Sequence, residues 1–267
     1  MTKTTYTFSR LLGMVCVLAA SSNASAQTYS DSDARSETVL YNPHNGIQLL
    51  QGFRFRYSNG DHHLRHIEVM PGDFPNNTEL TLAYEDQNGD DPYEYQVQFR
   101  DASPSGIYTS AVGAQNCLGR CTIAATKPSG DMVFVLRGFD ISYAGGNDNH
   151  LKQLQIEEQN GIITVVFADQ DASSSADYFN VTVSYAYVHP SLVRSSGYVS
   201  GRGPGSQSSA IEAGSAVLRG FSVMYVSDDH HVDQLGIEVG NGAATAYLND
   251  QNNDDQFDWS VNWSVLN

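Results

Sequence analysis

The sequence predicts an all-β protein of three tandem antiparallel β-sandwich repeats, an expectation carried by three observations. A block of the form Leu-x-Gly-Phe recurs at Leu50-Gln51-Gly52-Phe53, Leu136-Arg137-Gly138-Phe139 and Leu218-Arg219-Gly220-Phe221, at intervals of 86 and 82 residues. Each block continues with apolar side chains at every second position: Phe53, Phe55, Tyr57; Phe139, Ile141, Tyr143; Phe221, Val223, Tyr225. Period two marks a strand with one buried face. Finally, the composition is rich in Gly, Asn, Ser and Tyr and carries little helical patterning, as suits an exported β protein.

Residues 1–26 read as a signal peptide, with Lys3 and Arg10 ahead of an apolar stretch over 11–20 and Ala24-Ser25-Ala26 before a cut at Gln27. The chain is therefore expected to be secreted or periplasmic. No later run approaches the roughly 18 apolar residues of a membrane helix, so a soluble product without membrane insertion is expected. The repeats are expected at 27–103 (shortened at its start), 104–190 and 191–267. Gly- and Pro-containing connections at 103–106 and 189–204 separate them. Ser105-Gly106-Ile107-Tyr108 and Ser196-Gly197-Tyr198-Val199 open the second and third. Roughly six strands per complete repeat suit a small β-sandwich, and three such units can pack about a pseudo-threefold axis, one chain standing in for a trimer.

After the first core strand comes a loop that feeds the next one: Asp61-His62-His63-Leu64, Asp148-Asn149-His150-Leu151 and Asp229-His230-His231-Val232. A terminal strand closes each repeat, with Tyr93, Tyr95, Val97 and Phe99 matching Phe179, Val181, Val183 and Tyr185, and then Phe257, Trp259, Val261 and Trp263. Ahead of it, Asp86-Gln87-Asn88-Gly89-Asp90-Asp91 matches Asp250-Gln251-Asn252-Asn253-Asp254-Asp255, while the middle repeat carries a longer, Ser-diluted version from Asp169 to Asp177. In an up-and-down arrangement alternate connections share one end of the sheet, so the histidine loops and the acidic loops are expected to be neighbours.

Thirty acidic against fourteen basic residues give a formal charge of -16, which argues against nucleic acid as a partner. Two readings stand for Asp86, Asn88, Asp90, Asp91 and for Asp250, Asn252, Asp254, Asp255. Oxygen ligands at alternate positions suit calcium, and the same residues make good turns through side-chain to backbone hydrogen bonds. On the calcium reading the diluted middle loop binds worst. The recurrent Asp61, His62, His63, Asp148, His150, Asp229, His230 and His231 likewise offer either a transition-metal or ligand site or histidines that cap a strand against a neighbouring Asp. No serine or cysteine nucleophile recurs with them, which makes hydrolysis the weakest functional class. Cys16 leaves with the signal, and Cys117 and Cys121 of the CLGRC turn are expected to form a local disulfide in an oxidising compartment.

The order of these segments resembles the H-type lectin domain. The resemblance rests on Ser196-Gly197, the stretch over 216–223, Asp229, the strand from Val232, the aromatic strand over 257–263, and Leu64-Arg65 in the first repeat. It implies a six-stranded sandwich, trimeric assembly and binding of galactose- or N-acetylgalactosamine-like sugars, with Arg65 among the ligand-binding residues. The family's Trp-His pair before the last strand is missing, and Lys152 and Asp233 stand at its Arg position in the other repeats. Three expectations follow: a multivalent carbohydrate-binding protein for a glycan or matrix polysaccharide, with calcium assisting; a calcium-stabilised structural or adhesive surface protein; and a hydrolase. Tandem sites favour binding, because linked weak sites gain avidity.

Overall fold

The computed structural model describes residues 26–35, 37–41, 46–58, 62–72, 79–87, 91–128, 130–145, 150–169, 178–227, 231–250 and 255–267. The expected signal peptide, apart from Ala26, lies outside the described residues. Those that are described form antiparallel β structure throughout, with one short 3-10 turn at Pro190–Leu192, so the all-β class read from the sequence is correct. None of them forms a helix long and apolar enough to cross a membrane.

The first segment of the chain holds β1 (Ala26–Arg35), β2 (Glu37–Tyr41), β3 (Ile47–Tyr57), β4 (Leu64–Pro71), β5 (Glu79–Asp86) and β6 (Pro92–Ala102). The second contributes β7 (Ile107–Leu118), β8 (Arg120–Ala124), β9 (Val133–Tyr143), β10 (Leu151–Gln159), β11 (Ile162–Asp169) and β12 (Tyr178–Val188). The third contributes β13 (Val193–Ala210), β14 (Ala216–Tyr225), β15 (Val232–Gly240), β16 (Ala243–Asp250) and β17 (Gln256–Leu266). One sheet has the order β2-β5-β4-β9-β12-β7, and a second runs β1-β6-β3-β15-β16-β13-β17-β14-β10-β11-β8.

The longer sheet turns a corner inside β13, which pairs with β17 up to Pro204 and with β16 from Gly205 onward. Gly205 takes φ +69 at that corner, a conformation glycine adopts without a Cβ penalty. In the second repeat the same two roles fall to β7, paired with β12, and β8, paired with β11, with Gly119 at φ +62 between them. Cys117 and Cys121 flank that corner and are joined as a disulfide, their Cα atoms 5.5 Å apart. In the first segment β1 pairs with β6 and β2 with β5. That segment lacks the Ser-Gly opening motif yet begins with two strands paired as β7 and β8 are in the second.

Three further ladders join one segment to the next. β4 pairs with β9 (Val69↔Phe139), β10 with β14 (Ile156↔Phe221) and β15 with β3 (Ile237↔Phe53). All three have the same register relative to the recurrent Phe, and together they run first to second, second to third and third back to first. This closed ring explains the glycine of the Leu-x-Gly-Phe block. A Cβ on Gly138 would stand 2.1 Å from the carbonyl oxygen of Val69, on Gly220 2.8 Å from that of Ile156, and on Gly52 2.7 Å from that of Ile237. Each glycine thus lets the neighbouring backbone approach.

The residue before each glycine sits in a bulge of its strand, at Gln51, Arg137 and Arg219. Each reaches a backbone carbonyl of another repeat: Gln51 donates to Ala216 (2.7 Å), Arg137 to Gln48 (3.3 Å) and Arg219 to Phe134 (3.3 Å). Phe53, Phe139 and Phe221 meet at the centre of the ring, their centroids 5.1, 5.3 and 5.9 Å apart, and all three are fully buried. Burial of three such side chains at one point, about 2 kcal/mol each by apolar area, ties the three segments to one core.

Candidate metal centre on the axis

His63, His150 and His231 stand just before β4, β10 and β15, the strands that form the three ladders. Equivalent positions in a closed ring of three face the same axis, and the rings converge there. Their centroids are 4.8 Å apart for His63 and His150, 4.5 Å for His63 and His231, and 4.7 Å for His150 and His231. One nitrogen from each lies within 4.8 Å of the others. Burial pushes the pKa of His231 below its usual value, with the charge of Asp250 opposing the shift. Burial thus favours neutral His231, and only a neutral imidazole offers a lone pair to a metal.

The described residues that open the acidic loops lie beside the strands that follow the histidines. Asp86, Asp169 and Asp250 end β5, β11 and β16, each opposite the residue that follows the axial histidine: Leu64, Leu151 and Val232. Asp169 accepts a hydrogen bond from the backbone N–H of His150 (3.1 Å). His62 is buried and stacks on Tyr57 with centroids 3.7 Å apart. Its Nδ1 lies 3.8 Å from Asp86 Oδ2 and 3.6 Å from Asp91 Oδ2, a second cluster with donor atoms within 4.8 Å of one another. The Tyr57 hydroxyl is pushed well above its ordinary pKa by burial and by Tyr84, Asp86 and Asp91, so it stays a neutral wall to this cluster.

Asp255 accepts from Ser227 Oγ (3.3 Å), and Arg65 is exposed on β4. Asp61, Asn88, Asp90, Asp148, Asp229, His230, Asn252 and Asp254 lie outside the described residues. Every group of three potential ligands found within this reach among the described residues contains a histidine. Such donor sets favour zinc or another first-row transition ion over calcium, which takes six to eight oxygens.

The sequence reading kept each histidine with the acids of its own repeat and missed the meeting of three repeats. The signal was present: His63, His150 and His231 share one register, and residues in one register converge when the units close about an axis. Compared with protein-family models and with curated proteins, the sequence matches none.

Proposed function

We propose that this is an exported binding protein whose three repeats are clasped by one transition-metal ion, Zn²⁺ by preference, on His63, His150 and His231. The observation that carries the reading is the convergence of three equivalent rings, 4.5 to 4.8 Å apart, from strands of three different ladders. Three imidazoles are a recurrent zinc donor set and leave a fourth position for water. An ion there joins the three repeats at a point where no continuous chain segment does.

The test is thermal melting of the exported chain with Zn²⁺, with Ca²⁺ and with chelator. Zn²⁺ at a hundredfold its Kd stabilises by about 2.7 kcal/mol, or about 5–10 °C in a chain of this size. The triple variant His63→Gln, His150→Gln, His231→Gln is expected to show a clearly smaller Zn²⁺ shift than the native chain. A melting temperature unmoved by Zn²⁺ in the native chain overturns the proposal, and a shift with Ca²⁺ alone returns the acidic loops to first place.

A second reading concerns what the repeats present outward. On the outer face of β13, β17 and β14 a groove of about 510 Å³ is lined by Tyr198, Ser200, Arg202, Met224 and Asp258. Tyr198 is 60% exposed beside the Arg202–Asp258 pair, an aromatic face next to charged hydrogen-bonding groups. That chemistry suits a sugar ring, in keeping with a carbohydrate-binding role. A glycan array run on native protein and on Tyr198→Ala tests it: equal binding, or none by either, removes the groove from consideration.

A further inference from the structure

We propose that His66, Glu68 and Asp140 form a second divalent transition-metal site, at the β4–β9 ladder and separate from the axial histidines. The ladder sets His66 opposite Ser142 and Glu68 opposite Asp140, so alternate residues of two adjacent strands project from one face. His66 Nε2 lies 3.0 Å from Asp140 Oδ1 and 3.7 Å from Glu68 Oε2. One donor atom from each of the three falls within 4.8 Å of the others. Zinc bound at its usual bond lengths in a tetrahedral set holds its ligands about 3.4 Å apart, and 3.0 and 3.7 Å bracket that value.

The other ring nitrogen is also provided for. Nδ1 faces Glu85 Oε2 at 3.6 Å. Nε2 now hydrogen-bonds Asp140; when an ion takes that place, a carboxylate on the Nδ1 side favours the tautomer that offers Nε2 to the metal and raises its basicity. The side chains of His66, Glu68 and Asp140 are 18%, 14% and 39% exposed, so the site opens to solvent and leaves coordination positions for water.

The two equivalent ladders lack this donor set. On β10 and β14 the matching residues are Gln153, Gln155 and Ser222, joined by hydrogen bonds of 3.0 and 3.3 Å. On β15 and β3 they are Gln234, Gly236 and Arg54, and an arginine opposes cation binding. A protein that repeats its backbone three times thus carries this site once. The sequence shows the departure only after alignment, with His66 standing where the other repeats have Gln153 and Gln234.

Zn²⁺ stoichiometry measured by calorimetry on the exported chain tests the site. Native protein is expected to bind two ions, His66→Gln one, and the axial triple glutamine variant one. The Gln introduced at 66 is the residue the other repeats carry, and circular dichroism checks that the fold is kept. Glu85→Gln is expected to weaken the second ion about tenfold while leaving the count unchanged. An axial variant that binds no ion, or His66→Gln with native stoichiometry and affinity, overturns the proposal. A native count of one that His66→Gln abolishes supports this site and overturns the axial one.

Discussion

At the scale of single residues, the identities that matter most are fixed by what stands across the ladder. Gly138 faces the carbonyl oxygen of Val69 so closely that Gly138→Ala forces one strand away from the other. The expected loss is about 1–3 kcal/mol, the range of overpacked cores, read from urea denaturation. An unchanged midpoint would remove the close-approach account of the recurrent glycine. Charge gives a second expectation. Arg202 grips Asp258 with two bonds of 2.5 and 2.6 Å, and that contact holds the Asp258 carboxyl below its usual pKa. A carboxylate depressed in the folded state stabilises above its unfolded pKa, and the contribution is lost as pH falls through the lowered value. The NMR titration of Asp258 should therefore have its midpoint below about 3.9, and Arg202→Gln should return it there. Much at this scale was legible: the buried aromatics followed from period two, and Cys117–Cys121 from spacing and compartment. The proposed role of His66 was not, because its carboxylate partners Glu85 and Asp140 come from other strands, Asp140 from beyond residue 103.

Strands and corners tell a different story. The central strands β3, β9 and β14 were read correctly because one buried face stamps alternation on them. β1 and β2 were passed over because edge strands are packed on only part of their length: β1 buries just Tyr29 and Ala34 and leaves the rest polar. The corner between β7 and β8 is where a covalent link has most to hold, since the chain leaves one sheet for another within a few residues. The disulfide closes a loop of sequence separation four. Cross-linking so short a loop is worth about 2 kcal/mol in the chain-entropy account. Cys117→Ser should therefore lower the melting temperature by about 4–8 °C, as should reductant on the native chain. β13 makes the equivalent corner with Pro204 and Gly205 and no cross-link, so its melting contribution should be blind to reductant.

For the whole molecule, three ladders in one register close on themselves; the closure assembles the axial histidines, whereas the His66 cluster needs the β4–β9 ladder alone. Local pattern reveals a strand and even a repeat, but not which faces of different repeats meet. Ring closure is a long-range property, and the sequence hints at it only through identical registers. The nearness of His62 to Asp86 and Asp91 depends on one hairpin, and the order of the strands is enough to suggest it. The axial triad is not suggested in this way, because it depends on all three segments.

The ring has one more implication, for the order in which the chain is strung. Ala26 lies opposite Arg100, and the Arg100 guanidinium donates to the carbonyl oxygen of Asn267 at 2.7 Å. Residues 26 and 267 therefore both neighbour Arg100, and the linear order of the three segments is incidental to the circle they make. A circular permutant that begins at Pro104, runs through Asn267, crosses a short Gly-Ser bridge to Gln27 and ends at Ser103 keeps every ladder. Connections between compact units tolerate such cuts. It is expected to melt within a few degrees of the native chain and to keep the same Zn²⁺ count. A permutant that fails to fold would show that the 103–106 connection is a strut of the ring, where the ladders alone predict a dispensable thread.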